Sequence, residues 1–318
     1  MTENSKLAIV QKMAKPFYSI IKVTGPFLLS QSKTAVSNYS DFKLNKARLD
    51  AISIFLNEES KNISADRAKL RDKIINSTGL ERTRAQNDYN LLTQELNKLS
   101  TIDKVKNFIS NDDVIDNDNE ISDSWIDKFN QLASTLNEEW RKELLAKAFA
   151  IELKQPGSMS FIVLNSIALF DELTFRMFGV LVNSSIRMYE VNILPLLKSD
   201  PVFKINGTEY NFTTIIYYLN HLSLIDYTSP SHIKFQHKDV YLRYGRRVLI
   251  IKPPEHYNPE LKITTFTILG NKIAELYTRE LNEFGNENFD VLMNSAINKT
   301  YKCAEIEMSE ELYSELGN

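Results

Sequence analysis

Glycine is scarce in this chain, with nine among 318 residues, against roughly 7% in an average protein. None lies between Gly25 and Gly79, or between Gly79 and Gly157. The first half therefore has few places to turn sharply, and long helices are expected there. Cysteine is scarcer still. The single Cys303 excludes an intramolecular disulfide and a cysteine-rich zinc site. A strong charge of one sign is also missing: 38 Lys and Arg stand against 41 Asp and Glu, a formal net charge of -3. Nucleic acid or an anionic membrane would then have to be held by a local patch. The four histidines, His221, His232, His237 and His256, fall in the last third, and no two have the i, i+4 spacing of a zinc protease. Long hydrophobic runs are absent as well. Lys6, Lys12, Lys15 and Lys22 break up the N-terminal apolar residues, and FRMFGVLV is too short to cross a bilayer as a helix. No serine stands in a nucleophile elbow, and no glycine-rich loop is placed to cradle phosphate. The expectation is a cytoplasmic protein that is not an enzyme, with no catalytic residue, no cofactor and no metal.

The residues present divide into stretches of different pattern. Residues 1–40 form an amphipathic segment in which Pro16, Gly25 and Pro26 cut the helical pattern. Phe17, Ile20, Ile21, Phe27 and Leu28 could pack on the protein body or on a second subunit. Alternatively, residues 7–36 could lie on a membrane surface and make the protein a membrane-active effector.

Residues 41–110 read as a long helical hairpin or coiled coil. Leu49, Leu56, Ile63 and Leu70 recur every seven residues, and Ile52 fits the intervening position, while Glu59 and Asp66 do not. Such a seam suits a short or antiparallel pairing better than a long zipper. Asn76-Ser77-Thr78-Gly79 is the turn, after which Leu92, Leu96 and Leu99 rebuild an apolar stripe. These eight leucines and isoleucines are the candidate oligomerisation residues. Residues 111–121 are an acidic linker. Asp116, Asp118 and Glu120 alternate as in a calcium loop, but Ile121 replaces the required glycine and Asp127 the usual final glutamate. A solvated linker ending in a helix cap at Ser122 or Asp123 explains it better.

Residues 122–199 are expected to form a central helical domain. Trp125, Ile126, Phe129, Leu132 and Leu136 share one helix. Trp140, Leu144, Leu145, Ala148 and Phe149 share the next, with Asn137 as its cap. Pro156 and Gly157 stop that helix, and Ser158 caps its successor. The stretch WRKELLAKAFAIELKQPGSMS, with its tryptophan, Leu-Leu-Ala, glutamate and Pro-Gly-Ser in this order, resembles an uncharacterised bacterial domain-of-unknown-function family. The resemblance covers Trp125 to Leu181, and names a relative without naming a reaction. Relatives of this signature, which include abortive-infection families, imply a bacterial antiviral or mobile-element context.

The pattern changes in residues 200–283. FTTIIYYLNHLSLI precedes short β-branched runs at Ile233, Val240–Leu242 and Val248–Ile251, and FTILGNKIAEL follows them. The order of helix, strand, wing and closing helix resembles a winged helix with an enlarged wing. Lys234, Lys238, Arg243, Arg246, Arg247 and Lys252 cluster there beside Tyr241 and Tyr244, the residue types that contact phosphates and stack on bases. Against this, the segment Thr213–Leu224, where a recognition helix would lie, has no lysine or arginine. Residues 284–318 read as a helical tail.

The fold class expected is mainly α: an N-terminal helical hairpin or coiled coil, a central helical domain and a C-terminal winged-helix-like α+β module. The function expected is that of a non-enzymatic, oligomerising interaction protein of an abortive-infection type defence system. It would form a homo-oligomer and bind a protein partner encoded nearby. A DNA-binding regulator, using the basic wing on double-stranded DNA, is the alternative.

Overall fold

The computed structural model describes residues 46–111, 113, 121–196, 199–233, 238–252 and 260–316. The N-terminal segment, the acidic alternation at 116–120, Lys234, His237 and His256 lie outside these residues. The chain divides into two compact units, Met1–Leu169 and Phe170–Asn318.

The first unit is helical. Helices α1 (Lys46–Asn76) and α2 (Gly79–Lys104) are joined at the expected turn. They run antiparallel, since the Arg67 guanidinium lies 5.5 Å from the Tyr89 ring centre, Lys73 pairs with Glu81 at 3.4 Å, and Ser53 bonds to Asp103 and Lys106. At 1.5 Å per residue, the 31 residues of α1 extend about 46 Å. Leu49, Ile52, Leu56, Ile63 and Leu99 are buried, while Leu70, Leu92 and Leu96 are half-buried. Most of the heptad seam is thus covered within one chain.

A 3-10 turn (Val105–Phe108) leads to α3 (Asp123–Thr135), α4 (Glu139–Lys154) and α5 (Phe161–Leu169). Ser122 caps α3 by accepting from the Trp125 amide. The cap of α4 is Glu138 rather than Asn137, whose side-chain oxygen instead accepts from Asn97 at 2.6 Å. Helix α4 is central, with Leu144, Leu145, Ala148, Phe149 and Leu153 all buried. Trp125, Phe129 and Phe149 form one aromatic cluster, with ring centres 4.8 to 5.7 Å apart. Ser158 does not cap α5. Its amide bonds back to the Gln155 carbonyl, and the Ser160 carbonyl accepts the first amides of α5.

The second unit is α+β. After α6 (Glu172–Ser184), capped by Asp171 on the Thr174 amide, come β1 (Ile186–Met188), β2 (Val191–Pro195), the hairpin β3 (Val202–Ile205) and β4 (Thr208–Asn211), and α7 (Phe212–His221). Then follow β5 (Ile225–Ile233), β6 (Val240–Tyr244), β7 (Arg247–Lys252), β8 (Leu261–Phe266), α8 (Ile268–Ala274), α9 (Glu283–Ile297), β9 (Lys302–Glu307) and α10 (Glu310–Leu316). The main sheet has seven strands in the order β5-β8-β2-β1-β6-β7-β9, with every neighbouring pair antiparallel. Phe289, Leu292 and Ala296 of α9 pack on one face, against Ile186, Ile193, Leu242, Leu249 and Ile251.

Three features differ from the sequence pattern. Strands β1 and β2 lie in residues 122–199, expected to be all helical; they span three and five residues around a turn where Tyr189 has φ 55°, too short to show alternation. The tail 284–318 is not all helix, because KCAEIE forms β9 at a sheet edge. Its charged, exposed side chains hide the strand. Finally, β5 and β8 pair, and β8 leads into α8. The inserted β6–β7 hairpin pairs instead with β1 and β9, so it extends the sheet rather than enlarging a wing.

Candidate functional site

Side chains alternate across a strand, and the β6–β7 hairpin therefore divides the basic cluster. Leu249 and Ile251 face α9, and Arg247 shares their side. Its Nε donates to Glu305 Oε1 and its Nη2 to Asp290 Oδ1, each at 2.7 Å, with the guanidinium 4.4 Å from the Phe289 ring centre. The Glu305 hydrogen bond leads in pushing its pKa above the ordinary arginine value. Arg246, in the turn, pairs with Glu307 at 3.3 Å and donates to the Met308 carbonyl at 3.1 Å. Lys252 reaches Asp239 at 3.7 Å. Lys238 is exposed. The cations that crowd the sequence are thus spread over two faces and a turn, and three are held by carboxylates.

Arg243 is different. Adjacent to buried Leu242 and Tyr244, it points to the face away from α9. There, in register, it lies directly opposite Arg187 of β1. Arg187 is in turn opposite Asn192 of β2. A third arginine, Arg279, crosses this row: Nη1 donates to the Ser185 carbonyl at 2.9 Å and Nη2 to Ser185 Oγ at 3.0 Å, with a further bond to Asn192 Oδ1. Arg187, Arg243 and Arg279 line a cleft with Gly245, Leu281 and Tyr313, and no carboxylate is among these lining side chains. Burial, then the charges of Arg187 and Arg243, lowers Arg279 to about 9. Burial and Arg187 likewise lower Arg243, whose Nη1 is buried with no hydrogen-bond partner among the described residues.

The strap carrying Arg279 is pinned along its length. Tyr277 Oη donates to the Phe175 carbonyl at 3.0 Å, the Glu280 amide to Asn183 Oδ1 at 3.0 Å, and the Asn282 amide to Tyr244 Oη at 2.8 Å. Tyr244 Oη donates in turn to the Asn183 carbonyl at 2.8 Å. A Cβ at Gly285 would come within 2.0 Å of that oxygen, so glycine is what lets α9 start against it. Among the described residues, Arg243 is the one sequence-predicted cation that lines the cleft. Arg187 and Arg279 carry no sequence signal, because only the strand register and the pinned strap bring them to it.

The first unit has its own buried polar knot. Glu152 accepts from the Gly157 amide at 2.6 Å and the Met159 amide at 2.8 Å, while Trp125 Nε1 donates to the Met159 carbonyl at 2.6 Å. Gly157 sits at φ 87°, where a side chain is strained. Burial raises the Glu152 pKa against these amide bonds. All its described contacts hold the loop between α4 and α5, which is structural work.

Among the described residues, no group of three or more histidines, cysteines or carboxylates could hold a metal, and no helix is long and apolar enough to cross a membrane. His221 is exposed on α7.

Residues 81–288 match the family described as "Protein of unknown function (DUF2806)". The chain belongs to the DUF2806 family. The match begins in α2 and ends in α9, so the family region holds the knot at Glu152 and all three arginines of the cleft, but not α1. No curated protein and no solved structure matches the chain.

Proposed function

We propose that this DUF2806 protein is a non-enzymatic interaction protein that self-associates and acts through protein–protein contacts. The observation behind this reading is the far half of the α1–α2 hairpin. Beyond Ile63, α1 has no buried apolar residue, and in the facing start of α2 only Ala85 is buried. Ile75, Leu80 and Leu91 are 71%, 66% and 62% exposed. Helices gain most of their stability from packing an apolar face, and this pair supplies little of it alone. The seam residues Leu49, Ile52, Leu56, Ile63 and Leu99 are already buried inside one chain, so the contact surface shifts to the exposed trio. Sedimentation of the full chain at micromolar concentration is expected to give a dimer or larger species, and Ile75→Asp with Leu80→Asp and Leu91→Asp to give a monomer. A wild-type monomer would sink the proposal.

We further propose a role in bacterial antiviral defence with a partner encoded nearby, a reading that rests on the sequence resemblance of the Trp140–Ser160 stretch alone. Phage challenge of cells with and without the gene and its neighbours tests it; equal plaque counts would remove it. The DNA-binding alternative has less support, because Arg246, Arg247 and Lys252 already pair with carboxylates. Phosphate contacts make affinity fall steeply with salt, so a flat salt titration on duplex DNA would end that alternative. The membrane-active alternative concerns residues 7–36, outside the described residues, and liposome leakage that survives their deletion would end it.

A further inference from the structure

We propose that the sheet face turned away from α9 binds single-stranded nucleic acid, with bases stacked on Tyr189 and Tyr241 and phosphates held by Lys302 and Lys238. Leu242, Leu249 and Ile251 face α9, so the residues between them face the other way. On that side Tyr241 is opposite Ile250, and Ile250 is opposite Ala304. Tyr241 is 45% exposed, and Ile306, two residues along β9 from Ala304, is 50% exposed. Tyr189 sits in the two-residue turn between β1 and β2 and is 64% exposed. Its hydroxyl donates to the Asp239 carbonyl at 3.4 Å, which sets it beside the start of β6. Its φ of 55° is left-handed, a conformation that such turns normally give to glycine or asparagine. An aromatic ring kept there at a conformational cost, and left in solvent, points to a contact outside the chain.

The partner follows from what lies beside the rings. Next to the row of Tyr241, Lys252 and Lys302 are directly opposite each other on the same face, where like charges repel. Lys252 reaches Asp239 at 3.7 Å, but Lys302 and Lys238, both exposed, pair with no carboxylate among the described residues. Rings with free cations at their margin suit a single strand, because each unstacked base offers a flat face and each nucleotide a phosphate. A duplex keeps its bases stacked inside and would meet the lysines alone. A protein partner would be drawn by a broader apolar patch than two tyrosines and an isoleucine provide. All of these residues belong to the second unit and none to the hairpin, so strand binding and self-association stand or fall separately.

Fluorescence anisotropy of the full chain at low salt tests it, with labelled oligo(dT) and oligo(U) of about 12 nucleotides and a duplex of the same length as probes. At least one single strand should bind more tightly than the duplex, and the stronger of the two tells DNA from RNA. Tyr241→Ala should weaken binding about fivefold or more, the loss of one stacked base, while Tyr241→Phe, which keeps the ring, should bind like wild type. Tyr189→Asn suits the turn, so it should melt no lower than wild type and yet bind less tightly, a combination that a structural role for Tyr189 would not give. Lys302→Ala should reduce the logarithmic salt slope by about 0.7, and Glu190→Gln, which removes a negative charge beside Tyr189, should strengthen binding. The assignment is overturned by no single-strand binding at about 100 μM protein, where even a weak site would fill and the face would be left to a protein partner. Duplex binding as tight as that of the single strands, or wild-type affinity in folded Tyr241→Ala, would overturn it too.

Discussion

Glu152 is a buried carboxylate whose two strongest bonds are to main-chain amides. Glu152→Ala would leave the buried Met159 amide without its acceptor and is expected to cost about 2–3 kcal/mol, read as a lower urea midpoint. The pH dependence has a definite sign. Because burial raises its pKa above the ordinary 4.5, the unfolded chain releases this proton first. The stability linked to the protonated form is complete below pH 4.5 and is lost as pH climbs through the folded value. Glu152→Gln does not titrate there, so the stability of wild type minus that of the variant should shrink as pH rises from about 4 to 7. Urea titrations of both proteins across that range check it, and a constant difference would contradict it. Asp113 works in the opposite direction. Against the burial that opposes it, the Lys154 ammonium and the Ser110 amide lower its pKa, but it is common to both proteins and cancels. At Gly285 the constraint is space. Gly285→Ala drives a methyl into Tyr244 Oη and disturbs the bonds to Asn183 and Asn282, for an expected loss of about 3 kcal/mol.

Among the elements, the helical hairpin is the most legible in the sequence. The seven-residue recurrence, the missing glycines and the Asn76–Gly79 turn all describe it, and the turn falls where α1 gives way to α2. The recurrence could not say whether the facing stripe belonged to the same chain. That depends on the packing at Leu49, Leu56 and Leu99, each no more than 4% exposed. Leu56→Ala is therefore expected to lower stability by about 2–5 kcal/mol at any protein concentration. A loss that disappears as concentration rises would instead put Leu56 in a contact between chains. The short strands show the converse. Ile186–Met188 and Val191–Pro195 are strands because the sheet on both sides accepts them, and KCAEIE pairs with β7 while its side chains stay largely exposed. Pairing of this kind leaves no period in the sequence. The candidate site was hidden for the same reason: Arg243 was visible within a basic cluster, but its partners come from register and from a strap fixed by Tyr244, Tyr277 and Asn183.

At the scale of the whole molecule, each unit has a core of its own: the aromatic cluster of Trp125, Phe129 and Phe149 in the first, and the sheet face covered by α9 in the second. The sequence contains two tryptophans, Trp125 and Trp140, and both belong to the first unit. Tryptophan fluorescence therefore follows the unfolding of that unit, while far-ultraviolet circular dichroism follows both. Multi-domain chains need not unfold in a single step. Gly285→Ala strains only the core of the second unit, so it should lower the part of the dichroism transition that has no fluorescence counterpart and leave the tryptophan midpoint where it is in the wild type. Phe149→Ala should do the reverse, with the fluorescence midpoint falling in line with a loss of about 3–5 kcal/mol. If either substitution moved both signals together, the two cores would have to melt as one cooperative body, and the division at Leu169 would describe geometry without describing stability.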